Sequence, residues 1–164
     1  MTLARLGLGA AGALLIALYA VLAVRWTGAG SAWAATLRRP PWQPPDIVFG
    51  VIWPLNFAAM AVAGVAVVRT ASLPDVVLWL ALFCASAALA LGWARSFYVH
   101  HRLGRAALLL LGAATLTWGL VALTAGLTAW AAWVLVPYAV WLTVASSLAV
   151  GYHHLGSRAG AARS

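Results

Sequence analysis

Acidic residues are nearly absent from this chain of 164 residues, which has two aspartates, Asp46 and Asp75, and no glutamate. A carboxylate pair for acid–base catalysis can form only if these two meet across the fold. Both lie at the starts of predicted helices, whereas proton pumps and cation exchangers usually place a carboxylate inside the membrane. The scarcity of acids therefore argues against a carboxylate-based enzyme and against a proton pump.

Cysteine and lysine are also scarce. The single cysteine, Cys84, lies in an apolar run, so the chain can build neither an intramolecular disulfide nor a cysteine-based zinc site. All ten basic residues are arginines, and no basic cluster alternates with exposed aromatic residues as nucleic-acid binding requires. The sequence offers no nucleophile–base pair and no phosphate-binding glycine loop. We therefore expect neither a hydrolase, a nucleotide-binding enzyme nor a nucleic-acid-binding protein, and no metal site.

Apolar residues, by contrast, are abundant. Hydrophobic residues make up 65% of the chain and charged residues 7%, and the mean hydropathy is +0.98. An ordinary soluble domain has about a quarter of its residues charged. The composition therefore predicts an integral membrane protein, and at about 20 residues per spanning helix the chain holds at most about six crossings.

Five apolar stretches are long enough to span a bilayer, and they predict helices over about residues 6–24, 47–68, 76–99, 106–127 and 129–152. Lipid cannot satisfy backbone polar groups and the sequence lacks alternation, so helices are favoured over barrel strands. The one long connection, residues 25–46, has two Pro-Pro pairs that favour a stiff, extended path. A cleaved signal peptide is the alternative for the first stretch, but that stretch exceeds the usual core of about 7–15 residues, and we predict that it is retained.

The arginines are distributed unequally between the two ends of the predicted helices. One side carries Arg5 and Arg69, and the opposite side carries Arg25, Arg38, Arg39, Arg102, Arg105, Arg158 and Arg163. Cytoplasmic loops of membrane proteins carry the excess of basic residues. Taking the membrane to be a bacterial cytoplasmic membrane, we therefore predict a multi-pass protein with its C-terminus in the cytoplasm.

Tryptophan is unusually frequent, with ten residues. Indole rings near the ends of membrane spans commonly act as interfacial anchors, which is the prediction for Trp26, Trp33, Trp79, Trp130 and Trp133. Four others lie deeper in the predicted spans, namely Trp53, Trp93, Trp118 and Trp141.

Aromatic residues recur at helical spacing. Phe49, Trp53 and Phe57 are four residues apart and share one face of the second predicted helix. Related spacings occur on the third and fifth predicted helices, at Trp93 and Phe97 and at Tyr138, Trp141 and Ala145. Such rings either fill the bundle interior or face lipid, or they line a flat cavity for a large planar ligand.

Two motifs resemble one known family. The stretch RPPWQPP at residues 39–45, followed by Phe49, Trp53 and Phe57, resembles the signature of the TspO/MBR family of tryptophan-rich sensory proteins. The stretch VPYAVWL at residues 136–142, followed by Ala145, is similar to the Pro-Tyr-x-x-Trp motif of that family's fifth helix. Trp33 fits a tryptophan that the family carries before the loop motif, and the resemblance covers about residues 33–152.

The resemblance implies an all-α bundle of five transmembrane helices with a ligand pocket under a lid formed by the first loop. Members bind porphyrins such as protoporphyrin IX and haem, some bind sterols, and several bacterial members degrade protoporphyrin under light and oxygen. Carried over to this chain, Trp53 and Trp141 match the tryptophans tied to that photochemistry. The predicted ligand-binding residues are Trp42, Phe49, Trp53, Phe57, Ala90, Trp93, Phe97, Tyr138, Trp141 and Ala145, and the predicted lid residues are Trp33, Pro40, Pro41, Pro44 and Pro45.

The chain departs from the family pattern at three positions. Ser86 and Ala90 replace a Gln and an Asn of the third helix, and Ala149 replaces an Asn late in the fifth helix. These replacements remove amide groups from the implied pocket, where buried donors would orient a polar ligand.

Three further features have two interpretations each. Arg95 either extends to the lipid headgroups or pairs with a ligand carboxylate. The pairs His100-His101 and His153-His154 either hold a metal or haem iron or, as we expect, are interfacial histidines without a ligand. The small residues Cys84, Ala88 and Gly92 recur every four residues and either pack within the monomer or, as the resemblance favours, form a homodimer interface.

Three functions remain as hypotheses. The first is a membrane-embedded binding protein for a porphyrin or a similar hydrophobic ring ligand, with no required cofactor. The second is an enzyme that uses pocket tryptophans to degrade a porphyrin in light and oxygen. The third is a small permease or a subunit of a larger membrane complex. All three place the chain in a lipid bilayer.

Overall fold

The computed structural model describes the backbone of residues 2–161 and the side chains of residues 2–158. Arg163, which contributes to the predicted charge asymmetry, lies outside this range. The described chain is helical, without strands, and its helices are α1 (Leu3–Ala29), α2 (Ser31–Ala35), α3 (Asp46–Thr70), α4 (Leu73–Ala94), α5 (Leu103–Leu127) and α6 (Ala129–Ala161). All but α2 are long and apolar enough to cross a membrane. The predicted all-α architecture with five spans is confirmed.

The segment between the first two spans differs from the predicted loop. Helix α1 continues to Ala29, and α2 follows directly after Gly30, so that only residues 36–45 lack a long regular element. Gly30 is required at this break because a Cβ there would overlap the carbonyl oxygen of Tyr98. The lid is therefore partly helical and is seated against the end of α4.

Local signals explain where several helices begin. Thr2 and Ser72 precede α1 and α4, and each side-chain oxygen accepts a hydrogen bond from the backbone N–H three residues later, at Arg5 and Asp75. At the C-terminal end of α3, the carbonyl oxygens of Val68 and Ala71 accept hydrogen bonds from the Arg5 guanidinium. This arginine satisfies carbonyls that α3 leaves unpaired and ties the start of α1 to the end of α3.

The bundle core lies between α3, α4, α5 and α6, and it combines many alanines with a few large side chains such as Met60, Phe83 and Leu110. Small residues at helix contacts are expected in a membrane, where close backbone approach replaces the hydrophobic driving force. Helix α1 packs on α3 and α4 from outside, and Tyr19 is its one buried residue among those described.

The structure overturns the predicted position of Trp79 and shows which way Trp118 faces. Trp79 was predicted as an interfacial anchor, and this prediction is wrong. Its ring is fully buried and its indole N–H donates to the Thr124 hydroxyl on α5 at 2.9 Å. Trp118 lies on the outer face of α5, where its N–H donates to the Thr143 hydroxyl at 3.1 Å. Both indoles bridge neighbouring helices, because a buried or lipid-facing N–H needs an acceptor within the protein.

Candidate functional site

A cavity of about 510 Å³ lies between α3, α6, the end of α4 and the lid. Aromatic rings from three elements form its wall: Phe49 and Trp53 from α3, Trp93 and Phe97 from the end of α4, and Trp141 from α6. The i, i+4 spacing on α3 and at the end of α4 turns each pair toward the same side. The structure thus brings together six of the ten predicted ligand-binding residues on one surface, these five rings and Ala145.

The α6 side of the cavity combines one large ring with small residues. The Trp141 ring meets Phe49 edge-on with ring centres 5.2 Å apart. Ala145 and Ala149 follow at one-turn intervals and border the cavity, and Leu148 lies beside them. The short alanine side chains leave the space that the rings of α3 enclose. Ala149, which the resemblance places at the position of a family Asn, lies on this wall.

The end of α4 supplies a residue that the sequence did not indicate. Residues Arg95–Val99 form one π-helical turn, which adds a residue to the turn and rotates the side chains that follow. Phe97 and Tyr98 therefore both border the cavity, with ring centres 4.8 Å apart. Helical periodicity places adjacent residues on different faces, and no simple sequence signal predicts the extra residue.

The roof of the cavity is made of small side chains. Thr27 and Gly28 at the end of α1, and Ser31, Ala34 and Ala35 on α2, border the cavity from above. The sequence predicted an extended lid whose prolines cover the pocket. The structure instead covers it with a helical segment, and Gly30 permits the close approach of this segment to the Tyr98 backbone.

The mouth of the cavity is polar. Arg39 in the lid pairs with Asp46 at the start of α3, with Nη1 3.1 Å from Oδ1, and these side chains are 50% and 71% exposed. Gln43 accepts a hydrogen bond from the Tyr152 hydroxyl on α6. All four residues border the cavity. Among the described residues that line it, Arg39 and Asp46 are the ones with charged side chains, so the charge lies at the mouth and the interior is aromatic.

Four predicted ligand-binding residues do not border this cavity. Trp42 lies on the outside of α6, where its N–H donates to the Ser147 hydroxyl at 3.3 Å. Phe57 stacks on Trp53 behind the wall, with ring centres 5.8 Å apart. Ala90 is buried in the core. Tyr138 is buried as well, and its hydroxyl lies 3.2 Å from that of Tyr19.

Two of the predicted lid residues, Pro40 and Trp33, pack the lid against neighbouring elements. Pro40 is buried and packs with Trp42 against Gly151 of α6, where a Cβ would lie 2.8 Å from the Trp42 ring and 3.0 Å from Pro40. The Trp33 ring stacks on His101 with centres 3.8 Å apart and meets Phe97 edge-on. His101 adopts a left-handed backbone conformation with φ 56°. None of Trp33, Pro40, Pro41, Pro44 and Pro45 borders the cavity.

Ser86 is satisfied within the core. Its hydroxyl pairs with the Thr117 hydroxyl at 2.7 Å and lies 3.1 Å from the Ala113 carbonyl oxygen, and it does not border the cavity. Neither Ser86 nor Ala90 therefore changes the cavity wall directly. Their small size instead permits the close contact of α4 with its neighbours.

Three buried polar atoms in the described part of the chain have no hydrogen-bond partner: Asn56 Nδ2, Trp93 Nε1 and Trp141 Nε1. Leaving such a group unpaired costs about 1–3 kcal/mol. The two indoles belong to residues that border the cavity. Two residues of the cavity wall therefore carry buried N–H groups that no other group of the described protein satisfies.

The remaining predicted features lie outside the cavity. Among the described residues, no three His, Cys, Asp or Glu side chains are grouped so that they could hold a metal ion. His153 packs against Gly104, and Arg95 is exposed and does not border the cavity. Cys84 and Ala88 face outward on α4, whereas Gly92 is half-buried against Leu109.

Comparison with known proteins gives a consistent result. The model of the TspO/MBR family matches residues 8–155. The translocator protein of Bos taurus is 33% identical to this chain over an alignment of 129 positions, which covers 74% of this chain and 73% of that protein. Protein CrtK of Rhodobacter capsulatus is 32% identical over 122 residues, or 71% of this chain and 74% of that protein.

Proposed function

Because this chain belongs to the TspO/MBR family, we propose that it is a membrane-embedded binding protein for a large, flat, hydrophobic ring compound of the porphyrin class. Protoporphyrin IX and haem are the candidate ligands. The observation that carries the proposal is the cavity of about 510 Å³ with seven aromatic residues on its wall. This volume lies within the range of about 300–1,000 Å³ that is typical of small-molecule sites.

The distribution of charge supports a ligand with an apolar body and acidic edge groups. The interior offers aromatic faces, which bind rings without requiring charge. The mouth offers the Arg39 guanidinium, which binds carboxylates with two parallel hydrogen bonds. A porphyrin carries its carboxylates on one edge, so its ring would lie against Trp53 and Trp141 and its carboxylates would replace Asp46 as the partners of Arg39.

The unpaired indoles support the same class of ligand. Trp93 and Trp141 have buried N–H groups without an acceptor. A ligand that carries acceptor atoms would supply partners after a small rotation of either ring. A pure hydrocarbon would leave both groups unpaired and would gain nothing from them.

A titration tests the proposal. The purified protein is titrated with protoporphyrin IX in the dark while tryptophan fluorescence is recorded. We expect saturable quenching that is lost in the double variant Trp53→Ala/Trp141→Ala. The matched control is Trp130→Ala/Trp133→Ala, which removes two exposed indoles outside the cavity and should leave the dissociation constant unchanged. Non-saturable quenching in the unaltered protein, or equal loss of affinity in both double variants, would contradict the proposal.

A second function follows from the position of two oxidisable side chains. Trp53 and Trp141 border the same cavity, so a bound porphyrin would contact both. We propose as the alternative that the protein degrades its porphyrin in light, with dioxygen as the oxidant and an indole taking part. Trp53→Phe and Trp141→Phe preserve an aromatic wall, so they should nearly spare binding. If the alternative holds, they should abolish bleaching of the bound porphyrin in air.

The arrangement of the chain in the membrane is part of the proposal. Cys84 and Ala88 form a small-residue face on the outside of α4, which would let a second copy approach closely. We propose a homodimer through this face and a cytoplasmic C-terminus, the latter from the excess of arginines at the lid end of the bundle.

A further inference from the structure

A second depression lies on the outer surface of the bundle between α5 and α6, with a volume of about 560 Å³. We call it the α5–α6 groove. Its lining includes Trp42 from the lid, Leu111 and Trp118 from α5, and Val150 from α6. On α6 its lining runs from Thr143 to Val150, which at 1.5 Å per residue is a length of about 10 Å. Because both helices span the membrane, the groove opens toward lipid.

The groove offers no free polar group to an occupant. The hydroxyls of Thr115, Thr143, Ser146 and Ser147 each donate to a backbone carbonyl of their own helix. The indole N–H groups of Trp118 and Trp42 donate to Thr143 and Ser147. Every donor on the wall is therefore already paired, which fits an occupant made of hydrocarbon.

Basic residues continue the line of the groove toward the lid end. His154 and Arg158 follow Val150 at intervals of four residues on α6, so they share its face one and two turns further along. Both side chains are exposed. A molecule with a hydrocarbon chain in the groove would therefore place an attached head group beside a cation, and an anionic head group would be favoured.

One side chain connects the groove to the inner cavity. Trp42 belongs to the lid and packs against Gly151. It also borders the groove, and 55% of its surface is exposed. Pro40 packs against the same glycine, and the neighbouring lid residues Arg39 and Gln43 border the cavity. An occupant that covers the exposed side of Trp42 would bury more apolar surface when the lid is seated than when it is lifted.

We propose that the α5–α6 groove binds an acyl chain of an anionic phospholipid, whose head group lies by His154 and Arg158, and that the bound chain holds Trp42 and the lid in the seated position. A lipid in the groove that favours the seated lid would also change the affinity of the inner cavity for its ligand. By the same amount, a ligand in the cavity would change the affinity of the groove for the lipid, because the coupling is reciprocal.

Brominated lipids test the occupancy. The protein is placed in nanodiscs of phosphatidylcholine with increasing fractions of phosphatidylglycerol whose acyl chains carry bromine, which quenches indoles on contact. The signal of Trp118 is the difference between the unaltered protein and Trp118→Phe. We expect this signal to fall saturably at low phosphatidylglycerol fractions and severalfold less steeply with brominated phosphatidylcholine. Equal, linear quenching by both lipids would mean ordinary lipid contact and would overturn the proposal.

Two variants separate the hydrocarbon and head-group contacts. Thr115→Phe fills the groove from an exposed position and should abolish the saturable phase. Its control, Val65→Phe, adds the same ring to the exposed face of α3 and should preserve that phase. His154→Gln/Arg158→Gln should remove the preference for phosphatidylglycerol while quenching by acyl chains persists. Release of the quenching by inorganic phosphate would indicate an anion site without a lipid chain and would contradict the proposal.

Proteolysis tests the link to the lid. Trypsin cleaves after Arg38, whereas the bond after Arg39 precedes Pro40 and resists cleavage. Phosphatidylglycerol should slow cleavage after Arg38 severalfold in the unaltered protein and in Val65→Phe, but not in Thr115→Phe. If the lipid binds saturably but cleavage is equally fast with and without it, the proposed hold on the lid is wrong.

Discussion

Gly151→Ala should lift the lid while leaving the bundle intact. Gly151 lies in α6, and a Cβ there would be 2.8 Å from the Trp42 ring and 3.0 Å from Pro40. These distances are too short, and Pro40 is rigid and buried, so the lid must move outward. The move would also break the 3.3 Å hydrogen bond from Trp42 to Ser147.

The substitution has two energetic effects, of which one acts on the position of the lid. Inserting a methyl group into a packed contact costs about 1–3 kcal/mol. The same substitution stabilises the helix itself by about 1 kcal/mol, because glycine is the poorer helix former, but this gain applies equally to the seated and the lifted lid. The equilibrium between the two lid positions should therefore shift about 5- to 150-fold toward the lifted lid.

Limited proteolysis measures that equilibrium. If lid opening is fast relative to cleavage, the rate of tryptic cleavage after Arg38 is proportional to the open population. It should rise by the factor above, while the midpoint of thermal unfolding stays the same or rises. Gly119→Ala is the control, because a Cβ there meets nothing within 4 Å and should leave cleavage unchanged. Equal cleavage rates in Gly151→Ala and the unaltered protein would refute the packing argument.

Other predictions concern the mouth, the outer face and the core. Arg39→Gln should weaken binding of protoporphyrin IX and Asp46→Asn should strengthen it, whereas neither should alter binding of the uncharged dimethyl ester; titrations with both compounds measure these affinities. Since the pair is exposed, each substitution should change the free energy of unfolding by less than about 1 kcal/mol. Cys84 should cross-link to a second copy in nanodiscs at low protein concentration, and Ala88→Trp should prevent it, as gel electrophoresis would show. Trp79→Phe should lower the free energy of unfolding in sodium dodecyl sulfate by about 1 kcal/mol, because it removes an interhelical hydrogen bond.

The parts of the structure that depend on local pattern could be read from the sequence. The five spans follow from hydropathy, and the shared face of Phe49 and Trp53 follows from their spacing of four residues. The structure places Trp93 and Trp141 on the same cavity wall. Predicting this required the family resemblance as well as the spacing. The spans and the shared face of Phe49 and Trp53 depend on one helix at a time, and helix periodicity is the strongest signal in a sequence.

Features that depend on contacts between helices could not be predicted. Trp79 lies near the end of a span, but its hydroxyl partner on α5 draws it into the core. Tyr98 reaches the cavity through a π-helical turn, which periodicity does not reveal. Trp42 belongs to a motif of the lid, yet Gly151 on a distant helix provides the surface on which it packs. In each case the deciding residue is far away in the chain.

The way in which α1 is held has a consequence for how a ligand enters. Helix α1 is the least buried of the five spans, with 6% of its apolar window buried against 33–56% in the other four. Arg5 fixes the end far from the cavity, and Tyr19 fixes the middle. The end that roofs the cavity presents only small side chains such as Thr27 and Gly28. If that end moves away from Tyr98, on which Gly30 packs, a ring compound dissolved in the bilayer would reach the cavity sideways, past α1, without first crossing into water.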